Sequence, residues 1–317
     1  MRVLARFVVI ACFAFGGAAR SADLTFGVFG DTPYSALEEI AFPDLISQMS
    51  AERLAFVVHI GDFKSGSSPC TDELFLLRHT QLQRSKHPLL FLPADNEWTD
   101  CHRVGAGRMD PLERLDKLRA LFHSGDSTLG ERTMPLKRQS SDARFSAYRE
   151  NVRWMMGDVV FAALNVTGSN NNWDRTSAMD DEHHARMAAN EVWLEEAVRM
   201  AIAGRSRALV IFFHANPMFD RDADPPSRRD GFLRWRAMLA DAARRFDRPI
   251  LLIHGDSHHH RIDHPLRIPG RDATFPNVTR LEVFGAPVSN WSRVTISGDA
   301  PATFRIEAGR KMESGGP

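Results

Sequence analysis

Six apolar runs punctuate the chain, and each ends in a polar cluster. They are "LTFGVFGDTPYS", "LAFVVHIGDFKSG", "HPLLFLPADNEWTDC", "DVVFAALNVTGSNNNW", "RALVIFFHANP" and "RPILLIHGDSHHH". Continuous apolar stretches of this length, bounded by Gly, Pro and Asn, read as strands buried on both faces. Between them, mixed three-four spacing of apolar residues predicts helices over Ala36–Met49, Asp72–Lys86, Asp110–Phe122, Glu182–Ala203 and Gly231–Phe246. Asp110-Pro111 is a helix-start signal, with proline at the first helical position. Strands alternating with helices predict a layered α/β fold whose functional groups lie on the loops at strand ends. From Leu281 to Ile306 the pattern changes to what reads as antiparallel strands finishing a sheet. The polar stretches Ser124–Ser146 and Gly168–Asp181 are candidate loops over a site, and residues 309–317 read as a flexible tail.

Composition narrows the class without naming a chemistry. The 317 residues are 43% hydrophobic and 25% charged, as in a folded globular protein. Forty Lys+Arg balance forty Asp+Glu, so bulk charge predicts neither a nucleic-acid nor an anionic-membrane partner. Charge-driven chemistry must therefore be local.

The first 22 residues have the layout of a secretory signal peptide. Arg2 and Arg6 form a basic start, Phe7 to Phe15 an apolar core, and Gly16 to Ala22 a small-residue cleavage zone. Cleavage after Ala19 places Gly17 at −3, whereas cleavage after Ala22 places Arg20 there. A lipoprotein reading around Cys12 leaves a very short apolar stretch before the cysteine. The expectation is a periplasmic or secreted protein with no membrane attachment after processing, in which residues 23–308 form the folded domain. Removal of the signal leaves Cys70 and Cys101. In an oxidising compartment these pair, or else remain two buried thiols; the compartment favours a disulfide.

The strand-end residues, taken in order, are Asp31, Asp62, Asn96, His214, Asp256 and His258. Carboxylates, a carboxamide and imidazoles are ligands for hard-to-borderline metals, and parallel strands would bring them to one sheet edge. Gly30-Asp31-Thr32-Pro33, Gly61-Asp62-Phe63-Lys64, Asp95-Asn96-Glu97-Trp98, His214 and Gly255-Asp256-Ser257-His258 together resemble the five ordered motifs of the calcineurin-like metallophosphoesterases. "DNEWTDC" followed by His102-Arg103 is similar to a bacterial exported subgroup. The resemblance implies a sandwich of two facing mixed β-sheets flanked by helices. It also implies a two-metal site (Mn, Fe or Zn) hydrolysing a small-molecule phosphate monoester or diester. By position, Asp62 would bridge the metals, Asp31 and His258 would hold the first, and Asn96, His214 and Asp256 the second.

Two departures bear on activity. Pro33 stands where the resemblance implies a histidine ligand, and Ser65 stands where related acid phosphatases carry a tyrosine. Glu97 stands where they carry a histidine that stabilises the transition state. Lys64, His102 and Arg103 are the nearby sources of positive charge, and with Glu97 they complete the candidate catalytic set. A Cys70–Cys101 disulfide would tie the loops bearing these groups together. The rival expectations are a degenerate member that binds a metal or ligand without turnover, and an unrelated exported binding protein whose strand-end polar residues only make turns.

Overall fold

The computed structural model describes residues 21–219, 229–299 and 301–309; the predicted signal segment before Ser21 and the tail after Gly309 lie outside them. Within this range the apolar runs become β1 (Leu24–Phe29), β2 (Val57–His59), β3 (Leu89–Phe91), β6 (Val159–Ala163), β7 (Ala208–Phe212) and β8 (Ile250–His254). The predicted helices are α1 (Ala36–Ser50), α2 (Asp72–Leu82), α3 (Pro111–Phe122), α5 (Ser177–Ala203) and α6 (Leu233–Arg245); a four-residue turn, α4 (Gly168–Asn171), precedes α5. Asp110 caps α3, its side chain accepting from Leu112 N–H, with Pro111 at the first turn as the sequence predicts.

Two mixed sheets face each other. One runs β12-β11-β1-β2-β3 and the other β4-β5-β6-β7-β8-β10-β9, where β4 is Lys137–Arg138, β5 Val152–Met156, β9 Arg261–Asp263, β10 Val278–Glu282, β11 Ser292–Ile296 and β12 Phe304–Ala308. Strands β1, β2 and β3 are parallel, as are β6, β7, β8 and β10. Their carboxyl ends therefore open on one edge of the sandwich, where α/β proteins place their sites.

Between the sheets lies a continuous apolar layer built on aromatic rings. Phe26 stacks on Phe56 at 4.8 Å, and Trp154 stacks on Phe161 at 5.0 Å and on Phe212 at 5.9 Å. Each fully buried large side chain of this kind contributes about 1.5–3 kcal/mol. On the outer faces, α1, α2 and α3 cover the first sheet through Phe42, Ile46, Phe75, Leu82, Leu118 and Phe122. Helices α5 and α6 cover the second through Trp193, Leu194, Trp235 and Leu239. Both faces of the central strands are thus dry, which is why their sequences read as unbroken apolar runs.

Two expectations change. The segment from Leu281 onward does not finish one sheet. Strand β10 joins the second sheet, parallel to β8 and antiparallel to β9, while β11 and β12 pair with each other and β11 with β1 in the first. The stretch Ser124–Ser146 bridges the two sheet edges, through Leu129 against Leu89 and β4 against β5. Strand pairing there consumes backbone groups that a loop over the site would leave free.

Cys70 and Cys101 form a disulfide, with Cα atoms 5.8 Å apart and both residues fully buried. The two residues are separated by 31 positions. Replacing both cysteines by serine is expected to cost about 2–4 kcal/mol by the loop-closure argument. Equilibrium urea unfolding of the double variant checks this, and an unchanged midpoint would remove the disulfide from the stability of the fold.

Candidate metal centre

The chain reverses direction at each strand end, and it does so in strained backbone. Asp31, Asp62, Asp256 and His258 all have left-handed φ angles, +51°, +57°, +80° and +60°. Such residues cost of order 1–3 kcal/mol each and persist only where their surroundings hold them. Here the holding groups are specific. Glu97 Oε1 accepts from the N–H of Asp62 at 3.1 Å and of Ala94 at 2.7 Å. Asp31 accepts from the Asp256 N–H at 3.1 Å, and Asp256 Oδ2 from the Asn216 N–H at 2.8 Å. Gly255 is required by space: a side chain begun there would overlap the Asp31 carboxylate.

These turns gather the carboxylates. Oxygen and nitrogen atoms of Asp31, Asp62 and His214 lie within 4.8 Å of one another, and so do those of Asp95, His214 and Asp256. His214 is common to both sets. Its Nδ1–H donates to Ile60 C=O at 3.1 Å, which turns Nε2 into the cluster, 3.1 Å from Asp95 Oδ1 and 3.6 Å from Asp62 Oδ2. His258 repeats the arrangement: Nδ1 bonds Ala286 C=O at 2.9 Å and Nε2 stands 3.6 Å from Asp31 Oδ1.

Two members were not singled out by sequence. Asp95 sits where only Asn96 was expected to act. Tyr34, three residues after Asp31, donates to Asp62 Oδ2 at 2.6 Å, and its ring packs edge-on against His258 at 5.1 Å. A position-by-position reading misses Tyr34, because the phenol reaches Asp62 across loops from the first motif and not from Ser65 in the second.

The other predicted residues fall into different places. Asn96 binds Asp62 through its amide, Nδ2 donating to Oδ2 at 2.6 Å and the backbone N–H to Oδ1 at 3.0 Å. Lys64 is buried, with Nζ donating to Ser65 C=O at 2.9 Å. Arg103 is half exposed and paired with the fully buried Asp100 at 2.7 Å. Its Nη1 and Asn96 Oδ1 each lie about 3 Å from the point where a side chain on Gly66 would begin. Two catalytic expectations are corrected in placement. Glu97 is fully buried and clamps two backbone amides, because the left-handed turn at Asp62 points its N–H inward. His102 is exposed, its Nδ1 tied to Thr99 C=O at 2.8 Å.

So many buried acids cannot all ionise in the metal-free protein. Burial, with the charge of Asp95 beside it, pushes Asp62 up to about 7. Burial and the same neighbour push Asp256 up to about 8, and burial and Asp62 push Glu97 up to about 8. Burial also lifts Asp31 well above its ordinary range. Asp95 goes the other way: burial opposes ionisation, but the His214 imidazole more than offsets it and holds the carboxyl at about 2. Burial likewise opposes the charged form of His214, and the surrounding carboxylates overcome it, raising His214 well above the ordinary value.

The residues fit a cation on three counts. Asp95 Oδ1 and His214 Nε2 are buried and face each other at 3.1 Å as an ion pair, with no other hydrogen-bond partner for either atom. Both imidazoles present Nε2 inward, and the carboxylates need positive charge. Oxygen donors from Asp31, Asp62, Asp95, Asp256 and Tyr34 outnumber the two nitrogens, a set suited to hard cations.

No protein-family model matches this chain, and no curated protein is similar to it in sequence. Solved structures are similar in fold. A dimetal phosphatase from Danio rerio superposes with a TM-score of 0.54 at 12% identity, over 90% of this chain and 99% of that one. The purple acid phosphatase PPD1 from yellow lupin (Lupinus luteus) seeds superposes with a TM-score of 0.53 at 13% identity, over 93% of this chain. The fold is that of the metallophosphoesterases. The chain spans about half the length of the lupin enzyme, 52% of it. In the metallophosphoesterase sandwich adopted here, the carboxylate cluster lies at the carboxyl ends of the parallel strands of both sheets.

The raised carboxyl values set a pH dependence. Asp62, Asp256 and Glu97 bind protons in the folded metal-free protein up to about pH 7–8, whereas in the unfolded chain they release them near pH 4. Their favourable contribution is therefore complete below about pH 4 and is lost as pH rises through the folded values. The melting temperature of chelator-treated protein is expected to fall between pH 5 and pH 8.5, and added divalent cation to abolish the fall. Thermal melts across that range, with and without Mn2+, check both halves; a flat metal-free profile would contradict the protonated cluster.

Proposed function

We propose that this protein is an exported two-metal phosphoesterase acting on a small-molecule phosphate monoester or diester. The observation that carries the reading is the pair of adjoining ligand sets meeting at His214, with Asp62 at their junction. In this reading Asp62 would be shared by two cations. Asp31, His258 and Tyr34 would hold the first, Tyr34 supplying the donor that Pro33 cannot. His214, Asp256, Asp95 and Asn96 would hold the second, the Asn96 amide turning its oxygen inward. The oxygen-rich set favours Mn or Fe over Zn.

Bound cations would activate water and offset charge on the phosphoryl group. The chain's own residues do the remainder. Arg103, half exposed and fixed by Asp100, offers its outward edge to phosphate oxygens. Lys64 lies buried beneath the same loop and supports the developing charge without touching solvent. Glu97 keeps Asp62 in its left-handed turn and thereby orients the bridging carboxylate.

A second reading, cation binding without turnover, is favoured by one observation: Glu97 is fully buried with Oε1 accepting from two backbone amides, and it presents no cationic donor to a phosphoryl group. One experiment separates the readings. The purified mature protein is expected to hold about two metal ions per chain and to release product from p-nitrophenyl phosphate or its bis-ester in added Mn2+. Asp62→Ala and His214→Ala are expected to lose metal and to reduce turnover at least 1000-fold. Metal without turnover supports the second reading; no metal in wild type rejects both.

Export is supported by the basic-apolar-small pattern of residues 1–22 and by the disulfide, which persists in oxidising compartments. Ser21, Ala22 and Asp23 are part of the fold. Ser21 Oγ donates to Asp158 at 3.1 Å, Arg207 to Ala22 C=O at 3.0 Å, and the Gly298 N–H to Asp23 at 2.9 Å. Processing after Ala19 keeps these contacts, so the intact mass of the exported protein is expected to begin at Arg20; a start at Asp23 would contradict this.

A further inference from the structure

Four consecutive non-glycine residues, Ser169, Asn170, Asn171 and Asn172, have φ between +50° and +61°. Asparagine tolerates this conformation singly, but an unbroken left-handed turn is disfavoured and must be held from outside. Arg186 on α5 does much of the holding. It is fully buried, and each of its five N–H donors is used. Nε bonds Glu182 at 2.6 Å, Nη1 bonds Asn165 C=O at 3.0 Å and Asn171 Oδ1 at 2.7 Å, and Nη2 bonds Asn171 C=O at 3.0 Å and Glu182 at 3.2 Å. His183 is also buried and bonds Asn171 C=O at 2.8 Å.

The turn presses on one half of the metal centre. A side chain begun at Gly168 would collide with Asp95 Oδ1 and stand 2.8 Å from Asp256 Oδ1. Ser169 Oγ lies 3.1 Å from Asp95 Oδ2 and 2.8 Å from Asp100. Asp31 and His258, by contrast, are held from the Asp256 N–H and Ala286 C=O.

We infer that Arg186 is a positioning residue for the second cation: through the left-handed turn, whose Ser169 Oγ bonds Asp95, it fixes that carboxylate without touching the centre. This rests on the two-metal reading above. Lysine keeps the charge but has three donors in no fixed fork, so it cannot replace the five-bond clamp.

The test measures both Mn2+ affinities by chelator competition in wild type, Arg186→Lys, Arg186→Met, Arg186→Gln and Gly168→Ala, with circular dichroism and melting temperature as folding controls. In folded variants one of the two ions is expected to bind at least tenfold less tightly while the other is unchanged, Lys and Met behaving alike. Gly168→Ala is the positive control, since its side chain would strike Asp95 directly, and Arg186→Gln keeps the test open if the Lys and Met variants do not fold. Equal weakening of both ions, or affinities unchanged in every folded Arg186 variant, would overturn the inference while leaving the two-metal reading standing. Absence of Mn2+ binding by wild type would overturn the reading itself, and this inference with it.

Discussion

The constraint on which the site depends is the confinement of several carboxylates in a dry space that cannot tolerate their charge. Asp31, Asp62, Asp95, Asp256 and Glu97 are all brought to the carboxyl ends of parallel strands by a sandwich whose core is aromatic and tightly stacked. Hydrophobic packing fixes where the strands end, and the strand ends fix where the acids stand. An unpaired buried charge costs far more than any one of these contacts contributes, so the acids must hold protons or a cation. Much of the surrounding polar structure answers that demand. It includes the inward Nε2 atoms of two histidines, the amides held by Glu97, and a buried lysine.

Holding the acids requires backbone that the local sequence does not favour. Asp31, Asp62, Asp256 and His258 turn left-handed, and so does the whole stretch from Ser169 to Asn172. The compensation comes from residues distant in sequence: Asn216 to Asp256, Asp256 to Asp31, Arg186 to Asn171. The disulfide adds a covalent tie beside Asn96, whose carbonyl lies 3.5 Å from Cys70 Sγ. Strain is thus concentrated at the site and offset by the fold around it.

Much of the layering was legible because both faces of β6, β7 and β8 are dry, so each is an unbroken apolar run. Strand β5 was missed because Arg153 and exposed Met155 interrupt the apolar pattern on its outer side. The motif residues Asp31, Asp62, His214, Asp256 and His258 do converge, since each follows a strand end directly. Tyr34 and Asp95 were not legible, because their roles depend on which loop faces which, and that is settled by the packing of two sheets. The backbone clamp made by Glu97 was not legible for a different reason. Its motif position points to chemistry, but the inward N–H of a left-handed aspartate is a local detail that only the folded backbone reveals.

His214 carries a consequence of its own. An imidazole with Nδ1 engaged has one lone pair left, on Nε2, and that pair cannot be divided between two neighbours. The set that takes it draws nitrogen from a fully buried ring, and the other draws it from His258, whose ring is partly exposed across the cleft. The two halves of the centre are therefore chemically unequal before anything binds.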